Sequence, residues 1–182
     1  MILLKIKRVV LIVILFFISF NSGAQKKALE SSGDVILFTL PVATLTTTFI
    51  VGDGDGSWQY IKGLLLNGAI TYGLKLTVNK SRPDGSNENS FPSGHTSTTF
   101  QSASFVHFRY GFKYSIPAYA LAGFTAFTRL ESNKHDGWDV IAGAIIGVGS
   151  SYLFTTPYLQ EHMELTYSGS NGDHLIGFTF TF

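Results

Sequence analysis

The sequence predicts an all-α bundle of about five core helices followed by a small C-terminal β-hairpin. Three observations point that way. Apolar residues recur at helical spacing over long segments, as in Trp58, Ile61, Leu64, Leu65, Ala69, Tyr72 and Leu76. Those segments are parted by Gly-, Pro-, Asp- and Asn-containing breaks at 52–56, 83–90 and 111. The last stretch alone changes period, to strict alternation around Asn171-Gly172, a two-residue hairpin signal.

The N-terminus reads as an export signal. Lys5, Lys7 and Arg8 are a basic start, Val9 to Phe20 is an apolar run too short to span comfortably, and Ser22-Gly23-Ala24 offers small residues to a signal peptidase. Cleavage after Ala24 is the expectation and an uncleaved anchor helix the alternative; either puts the domain outside the cytoplasm. Gln25 to Ser32 is polar and reads as a short surface helix or linker. Val35 to Val51 is apolar apart from its threonines and contains Pro41. Its length is near the minimum of roughly 17 residues for a bilayer span, and a buried core helix fits equally well. Gly52-Asp53-Gly54-Asp55-Gly56 reads as a solvated turn: its aspartates alternate like those of a calcium loop but lack the other ligands and the terminal glutamate.

Ser57 to Ser81 forms the next helix, which Pro83 stops. Asp84 to Ser90 is a polar loop. Ser93 or Gly94 opens a helix to about Arg109, Gly111 breaks it, and Tyr114 to Leu130 forms another. The last helix opens at Asp136 or Gly137 and reaches Phe154; Gly143, Gly147 and Gly149 let it approach a neighbour closely. Phe108, Tyr110, Phe112 and Tyr114 surround Arg109 and Lys113, which suits an interfacial belt or packing between two helices. In the tail Ile176, Phe178, Phe180 and Phe182 alternate onto one face. A lone hairpin is marginal in water, so that face is expected to pack on the helices, the membrane or a partner. The chain thus divides into a signal (1–24), a catalytic domain (25–156) and a tail with the hairpin (157–182).

Composition narrows the function. With 182 residues and a net charge of +1, the chain has no global field for nucleic acid, so anion recognition must be local. Absence of cysteine removes disulfides, thiolate metal sites and cysteine nucleophiles. Charged residues make up 14%, against about a quarter in soluble domains, which leans the chain toward a membrane.

Three blocks carry the chemistry. Lys75 and Arg82 lie seven apart, two turns of one helix, and point the same way. Cations so placed repel unless an anion sits between them; a solvated basic face with Lys80 is the bland reading. Pro92-Ser93-Gly94-His95 opens a helix whose unpaired N–H groups and positive dipole end cradle an anion. Gly94 lets an oxygen approach, Ser93 offers a hydroxyl, and His95 at the edge is placed for proton transfer. Alone, that block is also a helix cap with a chance histidine. His135 and Asp139 are four apart at a helix head, so a carboxylate backs an imidazole; Arg129 upstream supplies a planar fork. A surface His–Asp pair is the bland reading there. A metal is the competing use of the histidines, but carboxylates are few and three cations would repel it. His107, His162 and His174 lie outside the blocks and read as structural or surface residues.

In combination, Lys75 with Arg82-Pro83, Pro92-Ser93-Gly94-His95, and Arg129 with His135 and Asp139 resemble the type 2 phosphatidic acid phosphatase superfamily, which also holds bacterial acid phosphatases and vanadate haloperoxidases. The likeness covers roughly Val35 to Thr156. The family's usual Ser before the third-block Arg is Thr128 here, which keeps the hydroxyl. The resemblance implies a nucleophilic His135 forming a phosphohistidine, an Asp139 that orients it, and a His95 that protonates the leaving oxygen and then activates water. It implies that Lys75, Arg82, Arg129, Ser93 and Gly94 hold the phosphate oxygens, without metal or other cofactor. The expected activity is hydrolysis of a phosphate monoester or pyrophosphate outside the cytoplasm, on an envelope lipid at a membrane. A soluble non-specific acid phosphatase is the alternative, because the Ser-, Thr- and Gln-rich 95–109 helix makes a poor lipid-facing span. Haloperoxidase activity and a non-catalytic envelope protein docking through the Phe-rich hairpin are the remaining readings. Oligomeric state is not legible.

Overall fold

The computed structural model describes residues 23–158, 163–170 and 173–180. Its helices are α1 (Gly23–Ile50), α2 (Gly54–Val78), α3 (Gly94–Tyr110), α4 (Phe112–Glu131) and α5 (Gly137–Tyr152), with strands β1 (Met163–Ser170) and β2 (Asp173–Phe180). The expected export signal, 1–24, lies outside the described residues save for Gly23 and Ala24, which begin α1.

Helix α3 is the hub, packed on all four other helices. Its sequence explains this. Small residues such as Ser97, Ser102, Ala103 and Ser104 are buried along it and let neighbours come close. Their hydroxyls are satisfied locally, Thr99 Oγ1 donating to His95 O at 2.9 Å and Ser102 Oγ to Thr98 O at 3.1 Å. Others bridge helices, as Tyr60 to Ser102 at 2.8 Å and Thr71 to Ser97 at 3.1 Å. On α5, Gly143 and Gly147 face α3: a Cβ at Gly143 would lie 2.6 Å from Ser93 O, and one at Gly147 would lie 2.8 Å from Gln101 N. Gly149, expected to do the same, faces open space.

The polarity of the bundle is inverted. Its interior is largely Ser, Thr, Asn and Gln, while Phe38, Leu76 and Trp138 are 70%, 79% and 74% exposed. That accounts for the polar α3: it is enclosed by the other helices rather than turned outward. Among the described residues, α1 is the one helix long and apolar enough to cross a membrane by length and composition.

Three local expectations are corrected. Gln25–Ser32 is no separate surface element but the first turns of α1, which runs unbroken through Pro41. Helix α2 ends at Val78, where Asn79 takes a left-handed φ of 44°, so Arg82 sits in the following loop and not two turns along the helix from Lys75. Asp53 is not solvated. It is buried, caps α2 by accepting from Gly56 N at 2.8 Å, and receives Arg109 Nε and Nη2 at 2.7 and 2.6 Å and Tyr110 OH at 2.7 Å. This network knots the end of the bundle remote from the three blocks. The aromatic cluster beside it splits: Tyr110 packs edge-on against Phe105, whereas Phe112 and Tyr114 face outward.

Strands β1 and β2 pair antiparallel, with Met163 opposite Phe180 and Ser170 opposite Asp173. The Asn171-Gly172 turn and Phe182 lie outside the described residues.

Candidate active site

The three blocks meet at one end of the bundle, where α2, α4 and their loops face the starts of α3 and α5. A cavity of about 320 Å³ opens there, lined among others by Lys75, Arg82, Gly94, His95 and His135, with Asn67, Asn87 and Asn89 on its polar walls.

Each side chain is placed by its local structure. The α2–α3 loop folds back, Arg82 N bonding Asn87 O at 2.9 Å and Ser90 N bonding Lys80 O at 2.9 Å. This returns Arg82 to the side where Lys75 stands. Arg82 Nε is buried with no hydrogen-bond partner among the described residues, a donor held in readiness for an anion. Lys75 Nζ donates to Asn89 O at 2.8 Å. Burial, with the Arg82 charge beside it, brings the Lys75 ammonium down to about 8, still mostly charged at neutral pH.

Helix α4 ends in a turn through Asn133 (φ 55°), which folds His135 back so that its N–H reaches Arg129 O at 3.3 Å. Asp136 then caps α5 in a reciprocal box with Asp139, at 3.1 and 3.0 Å. Asp139 is fully buried, receives Ser90 Oγ at 2.5 Å and Lys80 Nζ at 2.8 Å, and lies 3.6 Å from His135 Nδ1. That last distance is an ion-pair separation rather than a hydrogen bond. Burial would push the Asp139 carboxyl up, but the Lys80, Ser90 and Asp136 N–H bonds hold it below its ordinary value. Burial, then the Lys75 and Arg82 charges, push the His135 imidazole down to about 4, against the opposing pull of Asp139. His135 is therefore neutral at pH 7 and available as a nucleophile.

Ser93 begins α3, its N–H bonding Asp139 O at 2.9 Å. Its hydroxyl is buried, caps the helix by accepting from Thr96 Oγ1 at 3.0 Å and Thr96 N at 3.4 Å, and does not line the cavity. Arg129 is likewise turned away from the cavity. Its Nη1 donates to Asp34 Oδ1 at 2.9 Å, its Nη2 to Glu30 O, and its Nε to Thr128 Oγ1 at 3.2 Å. Asp34 Oδ1 also bonds His95 Nε2 at 2.8 Å. Burial and the Arg129 charge lower the His95 pKa, with Asp34 opposing them.

Of the sequence-predicted site residues, Lys75, Arg82, Gly94, His95 and His135 line the cavity, Asp139 backs His135, and Ser93 and Arg129 stand behind the wall. Sequence reasoning missed Asp34, Ser90 and Asp136 as contacts of this centre and treated Lys80 as part of a surface. Asp136 had a signal, the reciprocal cap with Asp139 three residues on. Asp34 and Ser90 had none, since nothing in their neighbourhoods marks which distant side chain they meet.

Comparison with known proteins bears on this arrangement. Residues 56–162 match the PAP2 superfamily. A lipid A 4'-phosphatase of Helicobacter pylori is 34% identical over 156 residues, 80% of this chain and 77% of that protein. A lipid A 1-phosphatase of Porphyromonas gingivalis is 39% identical over 89 residues, 47% of this chain but only 20% of that protein. The crystal structure of Aquifex aeolicus LpxE is similar in fold, with a TM-score of 0.63 at 20% identity, covering 73% of this chain and 86% of that one.

Proposed function

The chain belongs to the PAP2 superfamily and is a phosphatase; on that premise we propose that it removes a phosphate from a lipid A-type molecule at the outer side of a membrane, through a phosphohistidine on His135. The observation that carries this reading is the polar cavity holding two cations and two histidines at one end of an apolar-surfaced bundle.

The phosphoryl group sits between Lys75 and Arg82, with the unpaired N–H groups at the start of α3 donating to its oxygens. Neutral His135, backed through Nδ1 by Asp139, attacks phosphorus with Nε2. A P–N bond forms as the ester P–O bond breaks, and His95 protonates the departing oxygen. His95 then takes a proton from the water that attacks the phosphohistidine, and phosphate leaves with both histidines restored. Positioning and charge stabilisation supply most of such a rate, one well-placed donor being worth ~10²–10³. Arg129 and Ser93, expected as direct phosphate ligands, act from behind: Arg129 as a charge under His95, Ser93 as the cap that fixes α3.

The membrane part of the proposal rests on α1 and on the outward apolar side chains. We propose that residues 25–156 form the catalytic unit, that α1 anchors it, and that residues 1–24 direct export. The same outward side chains argue against a soluble acid phosphatase.

The test is phosphate release in detergent with EDTA present, lipid A against a small soluble ester, with His135→Ala as the blank. We expect lipid A to be turned over faster, activity to survive EDTA, and His95→Ala to lose it. Wild type that only matches the blank would sink the phosphatase mechanism, and equal turnover of the small ester would remove the lipid from it.

A further inference from the structure

We propose that Asp34, on α1, is a positioning residue for the proton donor: its carboxylate holds the His95 ring through Nε2, as Asp139 backs His135. This rests on the reading of His95 as proton donor given above.

The contact is built into the packing of α1 on α4. Gly33 lies where a Cβ would run into Thr128 Oγ1 and the Arg129 guanidinium, so only glycine lets the α1 backbone come this close. The next residue, Asp34, then places one carboxylate oxygen 2.8 Å from His95 Nε2 and 2.9 Å from Arg129 Nη1. Its attachment to Nε2 leaves Nδ1 as the nitrogen free to work on the substrate. In the acid form Nε2–H stays on Asp34 while the Nδ1 proton passes to the ester oxygen as the P–O bond breaks. It is regained from water in the second step.

Burial, the Arg129 charge from α4 and the Arg82 charge from the α2–α3 loop oppose protonation of His95, and Asp34 counters them through a hydrogen bond and its charge. Lys75 from α2 and the neutral His135 share the cavity with it. Without that carboxylate His95 would hold its proton only at lower pH. The sign is therefore fixed: removing the Asp34 charge shifts the alkaline limb of kcat to lower pH.

The experiment compares wild type, Asp34→Asn, His95→Ala, the double variant and the His135→Ala blank on two substrates bearing the same alkyl tail, an alkyl phosphate and a nitrophenyl phosphate. An alkoxide leaving group needs a proton; nitrophenolate does not. Asp34→Asn should lower kcat on the alkyl phosphate by about 10²-fold, the low end of a general acid's worth, and on the nitrophenyl ester by less than about 3-fold. KM should stay similar, and the alkaline limb should move down. In the His95→Ala background the same substitution should add nothing. Equal losses on both esters, a change confined to KM, or a gain in activity would overturn the proposal, leaving Asp34 a brace for Arg129 or a blocker of the phosphate site. Wild type no better than His135→Ala would instead defeat the phosphatase mechanism itself, a different outcome. If Asp34→Asn does not fold, Asp34→Ser with the same two esters takes its place.

Discussion

Gly147 on α5 offers a sharp test of what spaces the helices that carry the site. A methyl there would stand 2.8 Å from Gln101 N and 3.1 Å from Phe100 Cβ, and inside contact with Ser97 O. Two of these three are backbone atoms of α3 and cannot rotate aside. Carbon contacts are comfortable from about 3.5 Å, so α5 must move off α3 by roughly 1 Å. Overpacking of this kind costs about 1–3 kcal/mol, partly offset by the better helix propensity of Ala over Gly, about 1 kcal/mol. Gly149 is the control two residues away, with nothing within 4 Å of its Cβ position. There the substitution brings only the propensity gain. The assay is thermal unfolding of both variants in one detergent, followed by phosphate release. Gly147→Ala should melt below wild type and Gly149→Ala at or above it, about 2–12 °C apart for a chain of this size. Gly147→Ala should also lose activity, because α3 carries Gly94 and His95 while α5 carries Asp139. If Gly147→Ala melts at or above wild type, glycine-mediated contact does not set the α3–α5 spacing.

Two further outcomes follow from groups at opposite ends of the bundle. Asp53→Ala leaves Arg109 buried without its bidentate partner, which should cost about 3–5 kcal/mol in thermal unfolding and leave kcat of the folded fraction unchanged. Acid should weaken the fold through His135, whose imidazole titrates near 6.5 when unfolded and near 4 when folded. The unfolded chain binds the extra proton between those values, so stability is whole above about 6.5 and falls as pH drops toward 4. The loss amounts to roughly 3 kcal/mol, and His135→Gln should not show it.

The side chains that meet at the cavity were more legible in the sequence than the contacts that hold them there. The sequence marked out Lys75, Arg82, His95 and His135, which the fold gathers at one cavity, and Asp139 behind His135, because local rules fix part of the spacing, as with the i, i+4 pair of His135 and Asp139. The helices followed from apolar period and from breakers such as Gly111. What failed was pairing at a distance. Asp53 and Arg109 are 56 positions apart, and each looks like an ordinary surface charge until the fold buries both. Asp34 hides in the same way, 61 positions from His95 and 95 from Arg129. Arg82 shows the reverse. Its side of the cavity was anticipated from a helix that in fact ends four residues earlier, and a folded loop brings it to the same side by another route.

The proposed mechanism needs His135 neutral and His95 as a proton donor, although each stands beside a carboxylate that is itself paired with a cation, Asp34 with Arg129 and Asp139 with Lys80. Lys80 bears on the His135 side. Its ammonium lies 2.8 Å from Asp139 Oδ1 and 2.5 Å from Asp136 Oδ2, so the Asp139 charge is largely matched before it acts on His135. Burial, then the Lys75 and Arg82 charges, prevail over Asp139, and His135 stays neutral. Replacing Lys80 by Met removes that match. Asp139 would then hold the His135 imidazolium more strongly, and the nucleophile would be protonated up to a higher pH. Because His135 must be neutral to attack, the acid limb of kcat/KM should move to higher pH in Lys80→Met, while the alkaline limb, set by His95, stays in place. Measured rate profiles across both limbs decide it. An acid limb that does not move, or moves down, would mean that Lys80 only fastens the start of α5 and that the neutrality of His135 has another source.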